Sequence, residues 1–240
     1  MTSLDSAIKK YLDRHGFGTF HPKAVLFDMD GVLYDSMPHH AIAWVQAMDE
    51  NDIPMSETDA YLFEGMRGVE TITKLAWERT GRRLSVKEAQ AIYDRKSDIF
   101  ASLGDVEKTD GVEALMRQLQ HDGLTIGVVT GSGQRPLLER LERDFAGLVQ
   151  RDHIVTAYDV TIGKPNPAPY QKGLVKCGVE KGEAIVVENA PLGVKAGVAA
   201  GIFTIAVNTG PLADDILWEQ GADIVLKDMR QLLTRWKTRE

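Results

Sequence analysis

The sequence predicts an α/β protein with a doubly wound, mostly parallel sheet and an inserted block of helices. Short apolar segments alternate with helical segments along most of the chain, which is the pattern of parallel strands joined by helical crossovers. From about residue 37 to residue 103 only helical patterns occur, so this block interrupts the alternation. We therefore predict a core domain of residues 1–36 and 104–240 and a helical domain of residues 37–103.

The first part of the chain carries mainly helical signals. Apolar residues from Leu4 to Leu12 recur at helical spacing, which predicts a short amphipathic helix on the outside of the core. In the inserted block, Trp44 and its apolar neighbours predict a helix from residue 37 to about residue 51. Residues 56–59 and 85–88 have the form of capping boxes that open two more helices, and another helix passes through residues 71–77.

The alternation of strands and helices in the core starts with the apolar residues 24–27 and resumes after the insert. Gly178 is a typical helix-ending glycine and closes one of the later helices. The predicted elements are helix 111–121, strand 124–129, helix 137–143, strand 153–156, helix 167–177, strand 184–187, helix 191–200, strand 203–207, helix 213–220, strand 223–226 and helix 229–236.

Two carboxylates follow the first predicted strand. Asp28 and Asp30 are two residues apart, so both can point the same way, and Gly31 lets the backbone turn away behind them. Ligands of open parallel sheets bind at this end of the strands. Two carboxylates this close repel each other unless a cation or a shared proton intervenes, and Mg²⁺ prefers oxygen ligands together with substrate phosphate. The motif therefore predicts a magnesium site.

The same motif also has simpler interpretations. Asp is common in the turns that follow strands, and Asp-x-Asp-Gly also begins the calcium-binding loop of EF-hands. That loop needs further oxygen ligands and a closing Glu, whereas Gly31 is followed by Val32, Leu33 and Tyr34. The sequence therefore disfavours the calcium loop.

Polar residues also follow the later strands. Hydroxyl and backbone N–H groups after a strand can donate to a phosphate, and a lysine can neutralise its charge. Each segment alone is weak evidence for a phosphate site, since turns and solvated loops commonly contain such residues. Together they form a phosphate-and-magnesium set at the strand ends. Its members are Thr130, Gly131 and Ser132 after the second strand, Lys164 before a proline-started helix, and Glu188 and Asn189 after the fourth strand.

Composition limits the class of partner. The net charge of −7 argues against a nucleic-acid or anionic-membrane surface, because those partners select basic patches. Cys177 is the single cysteine, which excludes an internal disulfide and suits a reducing compartment. No apolar run approaches the roughly 20 residues that span a bilayer. We expect a cytoplasmic monomer that binds a small phosphorylated substrate and neither nucleic acid nor membrane.

On these motifs the chain resembles the haloacid dehalogenase (HAD) superfamily of phosphohydrolases. The four polar segments match the family's signature segments in order, and the helical block resembles the small cap inserted after the first motif. Residues 27–33, His40 with Trp44, and residues 163–167 resemble the β-phosphoglucomutase-like branch. The segments VVTGSG, ENAPLG and FTIAVNTGPL are similar to those of a Bacteroides member of this branch that hydrolyses inorganic pyrophosphate. The resemblance implies a Rossmann-like core sheet with a helical cap.

The resemblance also implies a role for individual core residues. Asp28 would be the nucleophile that accepts the phosphoryl group. Asp30 would be the acid/base that protonates the leaving oxygen and later deprotonates the attacking one. Thr130 and Lys164 would bind the phosphoryl oxygens. Gly131 and Ser132, which follow Thr130, would also bind the substrate.

Within the family pattern, Mg²⁺ would bind Asp28, the backbone carbonyl of Asp30, and the Glu188–Asn189 pair. Most relatives have Asp where this chain has Asn189. The substitution leaves one charge fewer around the ion, so we expect weaker magnesium affinity.

The cap residues would select the substrate. Lys96 and His40 match residues at the same positions of β-phosphoglucomutase, the mutase after which this branch is named. However, the mutase's phosphate-binding Arg aligns with Gly68, Glu64 replaces a Lys, and Arg67 is one position away. We therefore favour hydrolysis of a small phosphate compound, such as pyrophosphate or a sugar phosphate, over β-phosphoglucomutase-type isomerisation, which is the alternative.

The sequence disfavours two other classes of protein. A non-catalytic regulator with the same fold would be expected to lose Asp28, Asp30 or Lys164, and the chain keeps all three. A dinucleotide-binding protein would carry G-x-G-x-x-G after the first strand, and the sequence has no such motif there.

Overall fold

The core is a six-stranded sheet in which every strand is parallel to its neighbours. This computed structural model describes residues 3–132 and 135–238. The strands are β1 (Ala24–Phe27), β2 (Thr125–Val129), β3 (Ile154–Val155), β4 (Ala184–Glu188), β5 (Phe203–Val207) and β6 (Ile224–Leu226). They lie in the order β3-β2-β1-β4-β5-β6. The order reverses on either side of β1, so the sheet is doubly wound, as predicted.

Each predicted helix occurs, with ends shifted by a few residues. The helices are α1 (Leu4–His15), α2 (Met37–Asp49), α3 (Glu57–Leu62), α4 (Gly68–Thr80), α5 (Val86–Ser102), α6 (Val112–His121), α7 (Arg135–Asp144), α8 (Ala168–Cys177), α9 (Pro191–Ala199), α10 (Asp214–Glu219) and α11 (Met229–Thr238). No helix in the described part of the chain is both long enough and apolar enough to cross a membrane.

Helices cover both faces of the sheet. Side chains of a strand alternate between faces, so Val25 and Phe27 of β1 pack with α6 and α11, whereas Leu26 packs against α8. Burial on both faces explains why the strands are continuous apolar runs. Of the core strands, β3 is shorter than predicted: Arg151–His153 form a 3₁₀ turn before it, and it lies at the edge of the sheet beside β2.

The four helices α2 to α5 have an apolar core of their own. Buried side chains between residues 41 and 99 form a cluster separate from those around the sheet. Both predicted capping boxes are present, at the starts of α3 and α5. In the first of them Asp59 is also paired with Arg79 at 2.7 Å, which ties α3 to α4. The separate cluster is the observation on which we base the proposal that residues 37–103 form a cap.

The register of the sheet brings the polar strand ends to one edge. Phe27 pairs with Val128 on one side and with Val187 on the other. The residues that follow these positions therefore emerge side by side, at the end of the sheet that the cap covers. Gly31 has a φ of 80°, a left-handed conformation that favours glycine, and it turns the chain from β1 towards α2.

Candidate active site

Lys164 joins two carboxylates at the centre of the strand ends. Its Nζ donates to Asp28 Oδ1 at 2.5 Å, to Glu188 Oε1 at 2.7 Å and to the carbonyl of Val129 at 3.0 Å. An ammonium has three N–H donors, so all three are used. Asp28, Lys164 and Glu188 are each buried. The structure therefore places the predicted nucleophile beside the predicted phosphate-binding lysine.

The charges in this cluster shift one another's pKa. Burial raises the pKa of Asp28 and the Glu188 carboxylate raises it further, while Lys164 offsets part of the effect. Burial alone would lower the pKa of Lys164, but the two carboxylates outweigh it and hold that pKa above its ordinary value. Lys164 is therefore a permanent cation. Because the pKa of Asp28 stays raised despite Lys164, a further cation would favour its ionised form.

Asp30 has a different environment from Asp28. Ser36 Oγ donates to Asp30 Oδ1 at 2.6 Å, and His40 Nε2 lies 3.1 Å from the same oxygen. Burial would raise the pKa of Asp30, but His40, the Ser36 hydrogen bond and the Lys96 charge lower it to about 2. Asp30 is therefore ionised in this arrangement, which is the form that can accept a proton from an attacking water.

The cap contributes a buried cation to this group. Lys96 Nζ lies 2.6 Å from His40 Nδ1, 5.0 Å from the ring centroid of Trp44 and 5.4 Å from that of Phe100. Burial lowers the pKa of Lys96 to about 8, so it is mostly an ammonium at neutral pH. An ammonium can only donate, so His40 Nδ1 accepts and the Nε2 proton faces Asp30. The chain from Lys96 through His40 to Asp30 links the cap to the core.

Glu64 and Arg67 lie in the loop of residues 63–67 between α3 and α4, which we call the cap loop, and they occupy different sides of it. Glu64 is half-buried and faces Asp30, His40 and Lys96. Burial raises its pKa, and the Asp30 charge adds to that effect, while His40 and Lys96 oppose it. Arg67 points outwards: its Nη1 donates to the carbonyl of Thr161 at 2.8 Å. The cap loop therefore directs a carboxylate towards the site and an arginine towards a core loop.

The cap loop lies directly on the core. A Cβ at Gly65 would lie 2.9 Å from Lys164 Cδ, and one at Gly131 would lie 3.4 Å from the carbonyl oxygen of Gly65. Between them is a cavity of about 50 Å³, whose polar lining includes Asp30, His40, Glu64, Lys96 and Ser132. Since one water needs about 10–15 Å³ of such space, the cavity has room for only a few waters.

The donor set at the strand ends fits a hard cation. Asp28 Oδ2 and Asn189 Oδ1 are both buried and have no hydrogen-bond partner among the residues that the structure describes. Such oxygens are costly to bury unless something binds them, and carboxylate and amide oxygens suit Mg²⁺. Asn189 does not cap α9, whose N-cap is Ala190 without a side-chain bond. Within the described residues no three His, Cys, Asp or Glu side chains lie close enough to bind a metal together. Amide and backbone oxygens would therefore have to supply some of the ligands.

We expect Asn189→Asp to tighten magnesium binding, because it adds a charged oxygen beside Asp28. The gain should be about tenfold in affinity, the equivalent of roughly 1.4 kcal/mol. Calorimetric titration with MgCl₂ measures it, with Asn208→Asp as a control for an added charge elsewhere. Equal affinity in the wild type and in Asn189→Asp would exclude Asn189 from the metal site.

The structure brings together most of the residues that the sequence predicted. Thr130 is buried at the end of β2, and its Oγ1 accepts from the backbone N–H of Ser132 at 3.0 Å. Two contacts were missed by the sequence-based prediction. Ser36 immediately precedes α2, at the N-cap position where a serine is common. That position was a signal in the sequence that its hydroxyl has a polar partner. Tyr170 bonds to Glu188, and nothing in the sequence of α8 distinguished it from a core residue.

Comparison with known proteins gives a consistent picture. The profile of the haloacid dehalogenase-like hydrolase family matches residues 22–201. The chain is 32% identical over 215 residues to the validoxylamine A 7'-phosphate phosphatase of Streptomyces hygroscopicus subsp. limoneus, covering 89% of this chain and 96% of that protein. It is 34% identical to hexitol phosphatase A of Escherichia coli, covering 88% and 93%.

A solved structure from Bacteroides vulgatus is also similar. It superposes with a TM-score of 0.93 at 46% identity, covering 97% of this chain and 94% of that one, and its provisional description is beta-phosphoglucomutase. The similarity includes the cap as well as the core, since nearly the whole chain is covered.

Proposed function

Because the chain belongs to the haloacid dehalogenase-like hydrolase family, we propose that it transfers the phosphoryl group of a small phosphorylated compound to Asp28 and then to water. The observation that carries this proposal is the buried Asp28 carboxylate, which has one oxygen bound by Lys164 and the other without a partner in the described part of the chain. A carboxylate so placed can attack a phosphorus atom whose charge the lysine helps to neutralise.

The proposed reaction has two displacements. One oxygen of the Asp28 carboxylate bonds to phosphorus while the bond between phosphorus and the leaving oxygen breaks, and its other oxygen would bind the metal. Asp30 is ionised before the substrate binds, so it takes a proton from solvent as the anionic phosphate enters and passes that proton to the leaving oxygen. A water then attacks the phosphorus of the aspartyl phosphate and gives its proton to Asp30, which releases phosphate and restores Asp28. Splitting one hard step into two lowers each barrier.

Other residues would bind and orient the substrate. Thr130, Gly131 and Ser132 offer hydroxyl and N–H donors beside the cavity. Mg²⁺ held by Asp28, the Asp30 carbonyl and Asn189 would supply charge neutralisation and alignment. Glu188 was also predicted as a metal ligand, but protein donors bind both of its oxygens, so we propose that it holds Lys164 instead. The close contact of Gly65 with the core means that the cap excludes bulk water.

The substrate class has two lines of support. The Streptomyces relative is named a validoxylamine A 7'-phosphate phosphatase and the Escherichia coli relative a hexitol phosphatase, and both names support a sugar-like phosphate. The small cavity beneath the cap supports a compact anion such as pyrophosphate when the cap is closed. We propose hydrolysis of a small phosphate compound from these two classes.

Release of inorganic phosphate in a substrate screen tests the proposal. Pyrophosphate, hexose phosphates, hexitol phosphates and nucleotides would each be incubated with Mg²⁺, with Asp28→Asn as the control for contaminating phosphatases. We expect the wild type to release phosphate from at least one small compound and the variant to release none. Equal release by both proteins would contradict the proposal.

The mutase alternative depends on the charge beneath the cap. A mutase holds a bisphosphate, with one phosphate at Asp28 and the other bound by cationic cap residues. Glu64 faces that space, and two like unit charges about 4 Å apart repel by roughly 4 kcal/mol at an effective dielectric near 20. Lys96 reduces this repulsion. The remaining repulsion favours hydrolysis over retention of a bisphosphate.

We expect Glu64→Lys to shift the balance from hydrolysis towards isomerisation by at least about tenfold, since a residual 1.4 kcal/mol corresponds to a factor of ten. Both activities would be assayed, isomerisation with β-glucose 1-phosphate primed by glucose 1,6-bisphosphate. Glu70→Lys on the exposed side of α4 is the matched control. Wild-type isomerisation faster than every hydrolysis would exclude the hydrolase, and unchanged selectivity would exclude a role for Glu64.

A further inference from the structure

We infer that Tyr170 is a positioning residue: its hydroxyl shares the Glu188 oxygen that binds Lys164, and this sharing makes Lys164 available to phosphate. The inference rests on the proposed function, because it concerns the same site. Tyr170 lies in α8 and is fully buried, and its hydroxyl donates to Glu188 Oε1 at 2.7 Å.

Protein donors occupy both oxygens of Glu188. Oε1 accepts from Lys164 Nζ and from the Tyr170 hydroxyl, both at 2.7 Å. Oε2 accepts from the backbone N–H groups of Asn189 at 3.0 Å and Ala190 at 3.2 Å. A carboxylate has about four acceptor directions, so this one is fully used. In this arrangement Glu188 is an anchor, while Asp28 and Asn189 keep the open oxygens that a metal could bind.

The backbone around Glu188 is shaped to this arrangement. Gly193 lies in the first turn of α9, and a Cβ there would lie 1.8 Å from Glu188 Oε1. The carboxylate therefore fits against the start of the helix only because residue 193 has no side chain. Since Oε2 is held by two backbone N–H groups, Oε1 has a fixed position from which to bind Lys164.

The Tyr170 hydroxyl competes with Lys164 for that oxygen. Lys164 also uses all of its donors, so it must loosen one existing bond before it can donate to a phosphate oxygen. A second donor on Oε1 weakens the acceptor and makes the Lys164–Glu188 bond easier to loosen. Without the hydroxyl, Lys164 would pair more closely with Glu188, and the enzyme would bind phosphate less well.

Tyr170→Phe tests this role, because it removes the hydroxyl and keeps the ring that packs in the core. Tyr11→Phe is the matched control, because Tyr11 is also fully buried. Its hydroxyl donates to the carbonyl of Gly201 at 2.9 Å, a bond that joins α1 to the core away from the site. The measurements are the calorimetric affinity for MgCl₂, the affinity for inorganic phosphate with Mg²⁺ present, and the thermal midpoint.

We expect Tyr170→Phe to weaken phosphate binding by about three- to tenfold, the range of one hydrogen bond, and to leave magnesium affinity unchanged. Tyr11→Phe should lower the thermal midpoint and leave both affinities unchanged. Phosphate affinity in Tyr170→Phe equal to that of the control would show a structural role only. A changed magnesium affinity would show that Glu188 is a metal ligand restrained by Tyr170. Both results would overturn the inference.

Binding measurements separate this inference from the proposed function. If the wild type hydrolyses none of the compounds in the screen, the proposed function fails, yet phosphate and magnesium affinities still decide the role of Tyr170. If the wild type is active, the kcat of Tyr170→Phe should fall by a similar factor of about three to ten. A kcat equal to that of the wild type would contradict the role in the reaction.

Discussion

Asp28→Asn is expected to abolish turnover, with a loss of roughly 10⁴-fold or more, the scale on which removal of a nucleophile acts. The amide has nearly the same shape as the carboxylate, but it lacks the oxygen that would attack phosphorus. The fold should remain, because Lys164 keeps its bonds to Glu188 and to the carbonyl of Val129.

Steady-state phosphate release with the best substrate measures this loss, and circular dichroism confirms the fold. Asp35→Asn is the matched control, since Asp35 is an exposed carboxylate in the same loop and its change should leave activity intact. More than a trace of activity in a clean preparation of Asp28→Asn would exclude Asp28 as the nucleophile.

Asp30→Asn is expected to reduce kcat by about 10²- to 10⁴-fold, the usual contribution of general acid–base catalysis. The amide can neither give a proton to the leaving oxygen nor take one from water. Ser36 and His40 would still contact the side chain, so substrate binding should change much less than kcat.

A comparison of two substrates tests the cause of this loss. A substrate with a good leaving group, such as p-nitrophenyl phosphate, needs less protonation in the first step. Its first step in Asp30→Asn should therefore be impaired less than that of an alkyl phosphate, as seen in the pre-steady-state release of the leaving group. Near-normal turnover of both substrates would assign the acid/base role to another residue.

The sequence predicted the fold well because local patterns determine its parts. Apolar runs define the strands, capping boxes mark the starts of α3 and α5, and the carboxyl ends of parallel strands must meet at one edge. That geometry is why Asp28, Lys164 and Glu188 could be predicted to belong to one site.

The sequence alone could not predict contacts between side chains that are far apart along the chain. Lys164 bonds to Asp28 across 136 positions of the chain, and the path of the intervening loops decides which acceptors it reaches. The direction of Glu64 towards the cavity and of Arg67 towards Thr161 depends on how the cap rests on the core. Tyr170 was missed because a buried tyrosine in an apolar helix face has the same pattern whether or not its hydroxyl has a polar partner.

The central claim is that the phosphoryl group passes through Asp28, and chemical trapping of the intermediate tests it most directly. The wild type would be mixed with the best substrate from the screen, labelled with ³²P at the transferred phosphorus, and stopped in acid within milliseconds. Borohydride reduction and peptide mass spectrometry would then locate the labelled carboxylate. We predict transient label on the peptide that contains Asp28, none in Asp28→Asn, and reduction at residue 28. Turnover without any covalent label at these times, or label on another residue, would contradict the account.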